Sequence, residues 1–177
     1  MDGAIAGIIG AAMGAGSALI GQVITSRNAM KQAVALERST LDRELLRERR
    51  ATYARFFAEV GSYRHACWAY LDGTRNDPSS RNEQWSKLVE LWTTVSTSFN
   101  AVELEGPPEV EQAALHLMEH VRKFDGAVTS FHRERNEENV AAFNRLYNSD
   151  TYDVLRKDYA AACRSGLAQY QRPAVTS

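Results

Sequence analysis

EVEQAALHLMEHVRKFDGAVTSF, residues 109–131, decides the fold. Val110, Ala114, Leu117, Val121, Phe124, Val128 and Phe131 recur in it with gaps of 4, 3, 4, 3, 4 and 3. Such spacing places all seven on one stripe of an α-helix, with charged residues filling the remaining surface. A half-buried strand would alternate every second residue, and no such alternation is present. The stretch reads as a helix with one face turned to a core.

The same grammar extends in both directions. Upstream, Tyr53, Phe56, Val60, Tyr63, Cys67 and Tyr70 form one stripe, and Trp85, Leu88, Trp92, Val95, Phe99 and Val102 form the next. Downstream, Val140, Phe143 and Tyr147 are followed by Tyr152, Leu155, Tyr159 and Ala162. Turn-forming strings separate the stripes: DGTRNDPSSR at 72–81, EGPP at 105–108, a polar linker at 133–138, and Asn148-Ser149-Asp150. Pro-Pro after Gly marks a helix stop followed by a helix start. Short loops between helices imply antiparallel neighbours. The expected fold is therefore all-α, with an up-down antiparallel four-helix bundle over 51–170 whose last helix breaks near Asp150, and a flexible tail at 171–177. The aromatic stripes read as core filling, because a cofactor box or a base-stacking platform needs exposed rings beside basic groups.

The N-terminus is of another kind. From Gly3 to Ser26 there is no charge, and Gly3, Gly7, Gly10, Gly14, Ser17 and Gly21 recur with gaps of 4, 3, 4, 3 and 4. These six positions fall within roughly 80° of one helix face, while Ile5, Ile8, Ile9, Met13, Leu19, Ile20 and Val23 lie away from it. Small residues on one stripe let a second backbone approach closely in lipid. About 24 residues at roughly 1.5 Å each can cross a hydrocarbon core of about 30 Å. The expectation is a transmembrane glycine-zipper helix at 1–26, with a Gly/Ala-rich helix buried in a soluble assembly as the competing reading. Asp2 is the only charge before the apolar stretch, which does not suit a secretory signal. Arg27 and Lys31 follow it as membrane-proximal basic residues, so the positive-inside rule places the C-terminal part in the cytoplasm.

Residues 27–50 read as a charged stalk helix with a thin apolar seam of Met30, Val34, Leu41 and Leu45, and as part of a coiled coil when the anchors pair. Seven basic and four acidic residues lie between Arg27 and Arg50, a balance suited to an anionic leaflet. Arg38 with Asp42, and Glu44 with Arg47, have the spacing to pair along the flank. The whole chain is nearly neutral, with 21 basic and 22 acidic residues, which disfavours nucleic acid as a partner. Cys67 and Cys163 form no CxxC pair, so reduced thiols are expected.

One string matches a catalytic pattern. His116-Leu117-Met118-Glu119-His120 reads HxxEH, the inverted zincin arrangement of two zinc-binding histidines and a base. Against it, Glu119 points roughly opposite the core stripe, and both histidines lie on one flank at the boundary. His65 and His132 are expected to fill surface or boundary roles. No phosphate-binding loop, dinucleotide fingerprint or nucleophile elbow is present. No catalytic residue, metal or cofactor is expected.

The strings RRATYARFF and VELEGPPEVEQAA, behind an uncharged Gly/Ala helix, resemble small single-span helical proteins of high-GC actinobacteria. That resemblance implies the topology of one span and a cytoplasmic helical domain, and implies no activity. The functional expectation is a membrane-anchored, self-associating interaction or scaffold protein that meets lipid, further copies of itself and a cytoplasmic protein partner. Its rivals are a membrane-perturbing glycine-zipper effector, which resembles HeLo-type cell-death domains in plan, and an enzyme built on the HxxEH string.

Overall fold

The computed structural model describes the backbone of residues 2–76 and 78–170, and side chains other than those at 1–29, 31, 35, 74–78 and 171–177. It is all-helical. In chain order the elements are α1 (Asp2–Asn76), a short 3-10 turn (Pro78–Ser80), α2 (Arg81–Glu105), α3 (Pro108–Arg133), α4 (Glu137–Tyr147) and α5 (Thr151–Gln169). No strand occurs among the described residues. The side chains of the Gly3–Gly21 stripe, of Arg27 and of Lys31, and the whole of the 171–177 tail, lie outside the described residues. Among the described residues no helix is long and apolar enough to cross a membrane.

The chain divides into two units, Met1–Leu45 and Leu46–Ser177. Described side chains of the first unit are mostly exposed. Met30, Val34, Leu41 and Leu45 show 72%, 55%, 53% and 52% of their surface. Neither expected pair, Arg38 with Asp42 nor Glu44 with Arg47, forms, whereas Lys87 pairs with Glu83 at 2.6 Å. Long charged side chains in water lose rotamer entropy on pairing and gain little, so the spacing permits these bridges without enforcing them.

The second unit holds the core. Every member of the Tyr53–Tyr70 and Val110–Phe131 stripes is buried, as are Leu88, Val95, Phe99, Val102, Phe143, Tyr152 and Tyr159. Trp85, Trp92, Val140, Tyr147, Leu155 and Ala162 pack against them half-buried. Phe56 meets Phe99 at 5.8 Å and Tyr159 edge-on at 5.4 Å, joining α1 to α2 and α5. Phe124 meets Phe143 edge-on at 5.6 Å, joining α3 to α4. α3 is central, packing against α2, α4 and α5. Ring pairs of this kind add roughly 0.5–1.5 kcal/mol beyond the area they bury.

The α2–α3 turn is tight. Gly106 N–H donates to Val102 O at 2.8 Å, Pro107 takes an extended conformation, and Pro108 starts α3 without needing an N–H partner. α5 crosses this turn at Gly166, where an added Cβ would sit 2.9 Å from Pro107 Cγ and 3.0 Å from Val110 Cγ2. Only a residue without a side chain lets the helices approach so closely. The break between α4 and α5 falls at Asn148–Asp150, as the sequence indicated. It is held from α1: Arg64 Nη2 donates 2.7 Å to Tyr147 O, the carbonyl of the last residue of α4. A guanidinium at a helix C-terminus satisfies an orphan carbonyl and faces the negative end of the dipole.

Candidate functional site

The HxxEH string dissolves in three dimensions. His120 is 4% exposed, whereas His116 and Glu119 are exposed, so the two histidines do not share the boundary flank the sequence suggested. His116 Nε2 lies 2.9 Å from Gln112 Nε2 on the outer face of α3. The His120 ring packs edge-on to Phe124 at 5.1 Å and stacks toward Tyr152 at 6.3 Å. Burial, reinforced by the Lys123 and Arg64 charges, lowers its pKa, so the ring is held neutral. The wheel angle placed it at the boundary, but α5 covers that side of α3 through Tyr152. Among the described residues no group of three or more His, Cys, Asp or Glu is arranged to hold a metal.

The thiols are quiet. Burial pushes Cys67 up to about 12, and it raises Cys163 as well, so neither carries thiolate near neutrality. Tyr63 Oη donates to Asp125 Oδ1 at 2.6 Å beside Cys67, and its own pKa is raised, first by burial. This cluster ties α1 to α3.

His132 has partners that its sequence position did not reveal. Its Nδ1 lies 2.6 Å from Tyr70 Oη, and its ring stacks on Trp85 at 4.0 Å with 13° between planes. Burial and the Arg81 charge lower its pKa. The stack joins α1, α2 and α3 at one end of the unit.

Beside it opens a cleft of about 860 Å³. α1 supplies Trp68, Leu71 and Asp72, the end of α3 supplies Phe131, the following loop supplies Arg135, and α4 supplies Glu137, Val140 and Ala141. The floor is aliphatic and aromatic, and the rim carries both signs of charge. Trp68 is 41% exposed at the mouth, between His65 at 6.3 Å and Tyr147 at 6.5 Å. The Arg135 guanidinium lies 5.3 Å from the Phe131 ring centre. Loop and helix are held by Asn136, whose side chain accepts from Asn139 N–H at 2.8 Å, and by Asn139 Nδ2 donating 2.8 Å to Glu134 O. This is a pre-formed depression with an aromatic anchor at its edge, of the size that takes a side-chain cluster or a small ligand. Chemically its described lining offers apolar contact and polar rim bonds.

Sequence reasoning missed Trp68. It lies one position off the core stripe, next to Cys67, and only the packing of α4 against α3 makes that position the lip of a cleft. Comparison with protein-family models, with curated proteins and with solved structures finds no match.

Proposed function

We propose that this chain is a membrane-anchored helical interaction module that binds a cytoplasmic protein partner through the cleft at Trp68. The observation that carries the docking half is the half-exposed Trp68 held between two rings over an apolar floor. Aromatic side chains, Trp above all, carry much of the binding energy of interfaces once a partner excludes water from them. In this reading α1 from Leu46 onward, α2 and α3 make three members of an antiparallel bundle, and α4 with α5 together form the broken fourth. The anchoring half is supported by the uncharged Gly3–Ser26 sequence followed by Arg27 and Lys31. The glycine stripe Gly3, Gly7, Gly10, Gly14, Ser17 and Gly21 is proposed as the helix-association face, with the N-terminus outside.

Two measurements test the halves separately. Membranes washed with alkaline carbonate should retain the protein, with a reporter fused after Ser177 on the cytoplasmic side. Release by carbonate would end the anchoring claim. A photo-crosslinker at position 68 should label one protein species in cells, and Val140→Glu should abolish that labelling while the helical content persists. Equal labelling in the variant would end the docking claim. Leakage of a dye from vesicles on adding the protein, lost with Gly10→Ile/Gly14→Ile, would transfer the reading to the membrane-perturbing effector.

A further inference from the structure

We propose that residues 30–45 of α1 pack against the same residues of a second copy, with the two helices parallel and in register. This deepens the self-association proposed above but stands on different residues, outside the glycine stripe.

The seam comes first. Met30, Val34, Leu41 and Leu45 each expose more than half of their surface. On a helix they fall within roughly a 60° arc. Met30 to Leu41 and Val34 to Leu45 are each separated by eleven residues. An eleven-residue repeat corresponds to about 3.67 residues per turn, close to the helix's own period. Two nearly straight helices can therefore keep such a seam in contact along its length.

Charge then selects the partner and its direction. Glu37 and Glu44 lie along one flank of the seam, and Arg38 lies along the other, with Lys31 seven positions earlier in the same sequence register. Asp42 stands farther round, about 90° from the seam centre. In two parallel copies related by a two-fold axis, the acidic flank of each meets the basic flank of the other. In an antiparallel pair acid would face acid and base would face base. Arg38, Glu37 and Glu44 are exposed and make no ion pair among the described residues, so they remain available to such a partner. Complementary flanks set direction and register more than affinity. Four aliphatic side chains per copy are a modest interface, strengthened when both copies share a membrane and raise each other's effective concentration.

The test uses the full chain in native membranes with single cysteines introduced at Leu41→Cys, Leu45→Cys and Met30→Cys, oxidised briefly, and the unaltered chain as the background for Cys67 and Cys163. Self-linked dimers at 41 and at 45 should rise severalfold over that background. Mixing the position-30 and position-45 variants should add no hetero-linked product. Glu37→Lys/Glu44→Lys should lower self-linking severalfold, and Lys31→Glu/Arg38→Glu should do the same. Mixing those two charge variants should restore linking between them. Self-linking no higher than background, dominant 30-to-45 product, or charge variants that link as well as the parent would each overturn the proposal. Release by carbonate reports on the anchor alone, so the two claims fail separately.

Discussion

Two stretches of one helix, residues 30–45 and 53–70 of α1, carry apolar residues at helical spacing and meet opposite fates. Met30, Val34, Leu41 and Leu45 are at least 52% exposed, while Tyr53, Phe56, Val60, Tyr63, Cys67 and Tyr70 are at most 3% exposed. Spacing is therefore insufficient to specify a core. The buried stripe renews itself every three or four residues, and its Phe56, Tyr63 and Tyr70 find rings on α2, α3 and α5. The exposed seam skips the turn at Glu37–Arg38 and uses aliphatic side chains only. Its gaps leave too little surface for several helices to converge on, but enough for one.

The largest expected contrast is between truncations in the two stretches. Phe56→Ala should cost about 3–5 kcal/mol of unfolding free energy, because it removes a fully buried ring and leaves a cavity among Phe99 and Tyr159. Leu41→Ala should change the same quantity by less than about 0.5 kcal/mol in dilute monomer. Chemical denaturation of both variants checks the pair, and similar losses would erase the distinction.

Two contacts that hold the buried region should give intermediate effects. Arg64→Ala removes the donor to Tyr147 O and a guanidinium 4.0 Å from the Tyr147 ring centre, and should cost about 2 kcal/mol. Gly166→Ala forces a methyl against Pro107 and Val110, at a cost of about 1–3 kcal/mol. A thermal melt indistinguishable from the parent in either variant would show that these contacts are slack.

pH sharpens the comparison further. Burial with the Lys123 and Arg64 charges lowers the His120 pKa, and burial with Arg81 lowers that of His132. The unfolded chain then binds protons more readily than the folded one. Stability is full above the ordinary histidine value of about 6.5 and falls as pH drops from there toward the lowered folded values. His120→Phe should flatten part of that slope and leave the His132 part. An unchanged slope would mean that His120 is better solvated than its 4% exposure indicates.

Much of this was legible in the sequence, for identifiable reasons. The α3 stripe and the breaks at Gly106–Pro108 and Asn148–Asp150 were readable because large residues at regular gaps and turn-forming residues act locally. His120 was misplaced because its burial comes from Tyr152 on another helix. Trp68 was overlooked because its value lies in α4 leaving a cleft beside it. Arg64 gave no signal, since its role is to bind a carbonyl 83 residues away. Local chemistry writes stripes and stops; the flanks of each stripe are decided by which helix arrives there.

Amide hydrogen exchange resolved along α1, with the full chain in detergent at two well-separated protein concentrations, tests the central contrast most directly. Amides at 53–70 should be strongly protected at both concentrations, because their burial belongs to the fold. Amides at 30–45 should exchange rapidly when dilute and gain protection of tenfold or more when concentrated, because the proposed second copy covers this part of the helix only then. Protection at 30–45 that is the same at both concentrations, or exchange at 53–70 as fast as at 30–45, would contradict the account.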